Sequence, residues 1–200
     1  SHKPDNDNSA YQKLLKINSI NLDDKFPKLE VDIERFKKDN SDILIPGKKI
    51  AFGVDSFEEY KMWYEEDFIT LAELLFEKRL FDYIYLICGP DKSQISRKII
   101  NDSNKKYFID CSSKDLQGVI LAIKSSNFYI GNNSGPLNMS AALGVKTFGL
   151  IANDPASELK FSKINPITPK DYIDNVWNRD RRGMKKLKPD EVFEQIIKKL

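Results

Sequence analysis

From Lys48 onward, short apolar runs alternate with amphipathic stretches. KKIAFGV predicts a strand over Lys49–Val54, and a helix follows from Glu65 to Arg79 with Leu71, Leu74 and Leu75 on one face. A second strand is expected at Tyr83–Cys88, closed by Gly89-Pro90, with Asp91 as N-cap of a helix through Ile100. Lys106–Ile109 reads as a short strand, and Ser113 as the cap of a helix through Lys124 whose Leu116, Ile120 and Ile123 face inward. Asn127–Ile130 is the fourth strand. NNSGP follows, then a helix through Leu143 stopped at Gly144, and the strand Thr147–Ile151. These strands are apolar throughout rather than alternating, and helices separate them. That combination predicts an α/β fold, a parallel sheet with helices on both faces.

The two ends read differently. Residues 1–10 form a polar leader without an initiating Met and are set aside as an appended, disordered segment. Tyr11–Phe36 carries a helix pattern followed by KFPKLEVDI, where Pro27 forbids helix and Leu29, Val31 and Ile33 alternate as in an extended strand. Residues 11–47 are therefore expected to be an arm docked on a main domain of residues 48–200. The tail contains a Pro- and Asn-bearing stretch, a basic patch Arg179–Lys188, and a last helix Asp190–Leu200 whose Val192, Ile196 and Ile197 pack back.

Charge and rare residues narrow the chemistry. With 32 basic against 30 acidic residues and a net charge of +2, no nucleic-acid surface is expected. The longest apolar run, Tyr83–Cys88, falls far short of the roughly 18–20 residues of a membrane span. The single histidine, His2, lies in the leader, which removes Ser-His-Asp triads, HExxH zinc sites and Cys/His pairs from the body of the chain. Cys88 and Cys111 form no CxxC and read as small buried hydrophobes in a reduced, cytosolic setting. The carboxylates show no DxD cluster, so no metal site is expected.

In open parallel sheets, ligands bind beyond the carboxyl ends of the strands. The loops to inspect are Val54–Lys61, Gly89–Asp91, Asp110–Lys114, Asn132–Pro136 and Ala152–Pro155. GNNSGP stands out: Ser134 or Asn133 can cap the helix, Gly135 lets a ligand approach the backbone, and Pro136 presets the first turn. Free N–H groups at such a helix start favour a phosphate or diphosphate. An ordinary capped strand-to-helix turn explains the same residues on local grounds.

The run IGNNSGPLNMSAALGVKTFGLIANDP resembles the signature of the family 9 glycosyltransferases, the heptosyltransferases, which read approximately apolar-G-x-D-[ST]-G-x-x-H-x-x-A-A-L-G, a strand, and a P-T-[DN]-P loop. DSFEEYKMW resembles that family's loop with a Lys two positions before a Trp. The resemblance extends over about residues 11–200, including KINSINLDDKFPKLEV and the KPDEVFEQIIKKL helix. It implies the C-terminal, donor-binding, Rossmann-like half of a GT-B enzyme, whose partners are a nucleotide-sugar donor, an ADP-sugar foremost, and an N-terminal acceptor-binding half. No cofactor beyond that donor substrate is implied. The implied setting is lipopolysaccharide core or surface glycan synthesis in the cytoplasm, compatible with an acceptor at the inner face of the membrane.

Carried over by position, Lys61 falls on the lysine that approaches the donor's phosphate or ribose and would stabilise the leaving group, although an exposed lysine before Trp63 fits as well. Ser56 matches a hydroxyl of the same loop. Asp91 lies near an acidic position for the ribose, which a plain N-cap explains equally. Lys114 lies where the backbone meets the nucleobase. Ser134 and Gly135 match the anion-holding helix start, and Asn153 a small polar loop position. The departures are Asn133 in place of Asp and Asn138 in place of His, each removing a titratable group while keeping hydrogen-bonding capacity. They leave open a changed donor, drift at a binding position, or a non-catalytic sugar-nucleotide module. A sugar-nucleotide epimerase fits less well, since it needs acidic and His residues missing here. Base catalysis in the family is attributed to the other half, so this chain by itself is expected to bind donor and turn over little.

Overall fold

The structure is a computed structural model, and it describes residues 26–161, 163–174 and 179–200. Six strands form one parallel sheet: β1 (Lys49–Gly53), β2 (Tyr83–Ile87), β3 (Phe108–Asp110), β4 (Phe128–Asn132), β5 (Lys146–Leu150) and β6 (Ile164–Ile167), in the order β3-β2-β1-β4-β5-β6. The expected parallel sheet is thus present. Its five anticipated strands shift by one or two residues at their ends, and the order reverses direction between β1 and β4.

Alternate residues of each strand enter two cores. Ile50, Phe52, Ile84 and Leu86 pack under α2 (Glu65–Glu77), α3 (Ser93–Ser103) and α6 (Pro189–Ile197), while Ala51, Tyr85, Ile87 and Tyr129 face α4 (Leu116–Lys124) and α5 (Gly135–Ala142). Both faces are covered, which is why these strands carry no polar alternation. Of the arm, α1 (Ile33–Asp39) and its flanks lay Val31, Ile33, Phe36 and Ile45 on the second core. The helix pattern before Lys25 lies outside the described residues.

Several local expectations are corrected. Leu29–Ile33 is not a strand: the Asp32 carboxylate caps Arg35 N–H at 3.2 Å, so Ile33 starts a helix. Asp91 does not cap α3, because Pro90–Lys92 closes a 3-10 turn first and α3 begins at Ser93. Asp115 rather than Ser113 caps α4, accepting from Gly118 N–H at 2.8 Å. Leu116 is 62% exposed, since it sits in the first turn of α4 ahead of the inward stripe Ile120, Leu121 and Ile123. Ile197, at the fraying end of α6, is also exposed while Val192 and Ile196 are buried. A sixth strand, not expected, runs through the Pro- and Asn-bearing stretch of the tail, where Pro166 is tolerated because β6 lies at the sheet edge. Gly144, at φ 75°, ends α5 as expected.

Candidate functional site

The chain reversal between β1 and β4 opens a crevice at the carboxyl ends of the strands, the place where doubly wound sheets bind ligands. Beneath it, fully buried, a tyrosine packs against two glycines. Tyr129 lies across Gly53 and Gly131, so that a Cβ built on Gly53 would meet the Tyr129 hydroxyl at 1.7 Å and one on Gly131 would meet Gly53 backbone at 2.9 Å. Burial, with the Asp55 charge second, holds the Tyr129 phenol above its ordinary range, so the group stays neutral.

The β1 loop carries Ser56 and Lys61. Ser56 is buried, and its hydroxyl donates to the Asn133 carbonyl at 3.1 Å, pinning the β1 loop to the β4 loop. Lys61 ends a 3-10 turn with its ammonium 2.6 Å from Glu58 Oε2 and 3.5 Å from Asp154 Oδ2. Desolvation pulls its pKa down, but the Glu58 and Asp154 carboxylates more than offset this and leave it raised. Trp63 anchors the loop from below: its backbone N–H donates to Asn132 Oδ1 and its indole N–H to the Leu187 carbonyl, both at 2.9 Å.

The β4 loop delivers the helix start. Ser134 occupies the N-cap position of α5 without making the capping bond, and its buried hydroxyl has no partner. Gly135 and Leu137 therefore begin the helix with N–H groups that have no intrahelical acceptor, Pro136 having none to offer. A Cβ on exposed Gly135 would touch nothing within 4 Å, so the space above this helix start is open. Asn133 Nδ2 donates to Asp154 Oδ2 at 2.9 Å, which carries the chain of contacts from the helix start to Lys61. Asn153 is buried on the β5 loop, donates to the Tyr60 carbonyl, and turns its Oδ1 against Gly183 of the tail.

Ser56, Lys61, Asn133, Ser134, Gly135 and Asn153 thus converge. Three other expected residues make different contacts. Asp91 lies exposed in the turn after β2, packed against Gly89. The Lys114 ammonium pairs with Asp42 of the arm at 2.5 Å, holding that carboxyl below its ordinary range. Asn138 Nδ2 bonds back along α5 to the Ser134 carbonyl at 3.2 Å.

Four residues were missed. Asp154 joins Lys61 to Asn133. Tyr129 lies buried beneath the strand ends. Asp55 accepts from Gly89 N–H at 2.8 Å, and burial raises its pKa. Lys92 reaches the Ser56 carbonyl at 2.5 Å. Asp154, next to Asn153 in the inspected loop, was the most readable of them. Of the six buried side-chain polar atoms without a partner among the described residues, five belong to Tyr129, Asn132, Ser134, Asn153 and Asp154. Native interiors leave few such groups unpaired, and here they gather in and beneath the loops after β4 and β5.

A doubly wound parallel sheet with an uncapped helix start and a lysine at its reversal point defines a Rossmann-like α/β unit of the kind that binds phosphorylated ligands. The profile of glycosyltransferase family 9 (heptosyltransferase) matches residues 9–197, and the chain belongs to that family. Similar solved structures include the family 9 glycosyl transferase from Veillonella parvula (TM-score 0.74, 15% identity, 99% of this chain and 62% of that one). The ADP-heptose lps heptosyltransferase II of E. coli is also similar (TM-score 0.70, 15% identity, 86% of this chain and 53% of that one). So is the E. coli heptosyltransferase WaaC with ADP-2-deoxy-2-fluoro heptose (TM-score 0.63, 17% identity, 87% of this chain and 50% of that one). At these identities the likeness concerns the fold. The chain spans half to three-fifths of the length of these three proteins. No curated protein matches the sequence.

Proposed function

We propose that this chain is the donor-binding half of a GT-B glycosyltransferase that holds a nucleotide-diphospho-sugar, an ADP-sugar foremost, for transfer to a lipopolysaccharide-core or related surface-glycan acceptor held by an N-terminal half. The observation that carries this reading is the contact chain from the open α5 start through Asn133 and Asp154 to the Lys61 ammonium, which sets free N–H donors and a cation on two sides of one crevice. That arrangement suits a diphosphate, whose charge both can neutralise as the glycosidic bond breaks. WaaC, structurally similar and solved with ADP, supports adenine as the base. Transfer itself needs a carboxylate base from the other half. The two cysteines are buried and unpaired, which accords with work in the reducing cytoplasm, and no described helix is long and apolar enough to cross a membrane.

The test is calorimetry of the protein against ADP, UDP, GDP and CMP. ADP is expected to bind best, with affinity falling as salt rises. Lys61→Ala should weaken ADP by about 1–3 kcal/mol, the range for removing a hydrogen bond to a charged group. Unchanged ADP binding in that variant would assign Lys61 to a purely structural ion pair. A second reading, a non-catalytic sugar-nucleotide module, is favoured by the 2.6 Å Glu58–Lys61 contact, since an incoming phosphate must compete with that carboxylate. It predicts binding of all four nucleotides at similar, weak affinity.

A further inference from the structure

Where the family pattern has an aspartate, this chain has Asn133, and the carboxylate nearest that position is Asp154. Asp154 is almost fully buried, with its side chain 3% exposed, and its Oδ2 contacts two groups from different loops: Asn133 Nδ2 at 2.9 Å and Lys61 Nζ at 3.5 Å. A carboxylate only accepts hydrogen bonds, so the amide of Asn133 has one orientation against it. Nδ2 faces inward, and Oδ1, which accepts no bond from the described residues, faces away from Asp154 beside the helix start.

We propose that Asp154 is the positioning residue of this site: it locks the Asn133 amide with Oδ1 toward the crevice and tethers Lys61, so that the loop offers the ligand a neutral acceptor where the family pattern offers a carboxylate. The acceptor function at 133 is kept, and the negative charge lies one layer deeper, beside the lysine. A neutral acceptor next to a diphosphate suits a sugar hydroxyl while avoiding repulsion from the phosphates. This inference rests on the donor-site reading for the identity of the ligand, though not for the lock itself.

The lock can be tested without a ligand. Asn133→Asp places two carboxylates about 2.9 Å apart in a buried setting. Like-charged neighbours share a proton, and the pair's upper pKa rises above its unfolded value. The penalty is therefore absent at low pH, where the pair holds that proton, and present in full once pH exceeds the raised pKa. The titratable groups facing Asp154 are Lys61 with Glu58 behind it, Tyr60, and Tyr172, whose hydroxyl lies 2.7 Å from the Asp154 carbonyl and 3.0 Å from Asp174 Oδ1. The lysine remains charged and the tyrosines neutral from pH 5 to 8, which leaves the engineered pair as the new titration.

The experiment compares the wild type, N133D, D154N and N133D/D154N by thermal unfolding at pH 5 and pH 8, and by ADP binding at pH 8. N133D should melt several degrees below wild type at pH 8, with the gap closing at pH 5. D154N should be lowered at both pH values. The double variant, which restores one amide facing one carboxylate, should recover most of both losses in melting temperature, while its ADP affinity should stay roughly tenfold below wild type, as in N133D, because the carboxylate at 133 then faces the diphosphate. A pH-independent gap in N133D, or a double variant no better than the sum of the singles, overturns the lock. If the wild type binds no nucleotide, the donor-site reading fails, and the melting series still decides whether Asp154 positions Asn133.

Discussion

Trp63→Ala is expected to destabilise the protein by about 3–5 kcal/mol, the range for removing a large aromatic from a packed core. Trp63 is 1% exposed and meets Phe68 edge-on, with ring centroids 5.0 Å apart. Its indole N–H satisfies the carbonyl of buried Leu187, and its own carbonyl accepts from Arg181 Nη2 at 3.0 Å. Alanine would open a cavity and leave that Leu187 carbonyl without its donor at the same time. Trp63→Phe separates the two effects. It keeps most of the volume and loses the N–H, and it should cost about 1–3 kcal/mol, the penalty for one unsatisfied buried group. Denaturant titrations read both through their midpoints, with the slope unchanged. A loss under about 1 kcal/mol in the alanine variant would mean that Trp63 does not tie the β1 loop to the tail. The backbone N–H at position 63 still bonds Asn132 in the alanine variant, so any loss of ADP affinity there would come from losing the indole anchor beneath the Lys61 turn.

Gly53→Ala should be nearly as damaging, for the opposite reason. The new methyl would stand 1.7 Å from the Tyr129 hydroxyl and 2.6 Å from its ring carbon Cζ, in a region with no exposed surface to yield into. Overpacking of this kind costs about 1–3 kcal/mol, and the fixed strand backbone on both sides puts this position at the upper end. Tyr129→Phe in the Gly53→Ala background removes the closer clash but not the second, so only partial recovery is expected. In the wild-type background the same change deletes a buried hydroxyl that has no partner, and it should leave stability near its starting value. Thermal melts of the four proteins check this. Gly53→Ala behaving like wild type would mean that Tyr129 has another rotamer available, and the packing beneath the strand ends would then not be rigid.

The fold was largely legible from the chain because its signals are local. Apolar runs such as Tyr83–Ile87 and the Gly144 stop act over a few residues. The caps expected at Asp91 and Ser113 are displaced by turn geometry: the Pro90–Lys92 turn moves the start of α3 to Ser93, where no side chain caps it, and Asp115, two residues after Ser113, caps α4. The edge strand around Pro166 was unreadable because its pairing with β5, rather than any propensity of its own, makes it a strand.

The site divides along the same line. By itself, the sequence determined which loops close the carboxyl ends of the strands: the helix start at Ser134-Gly135-Pro136 and the Ser56–Lys61 loop lie on segments whose local patterns place them there. What only the tertiary structure decided is what each side chain is bound to. Ser56 meets Asn133 across 77 positions of the chain, and Asn153 meets Tyr60 across 93. Lys114 is drawn away to Asp42, and Asp154 sits between Asn133 and Lys61. Hydrogen bonds and ion pairs are set by distances of about 3 Å between atoms, and composition and spacing along a chain carry no such distance until the sheet has brought its loops together.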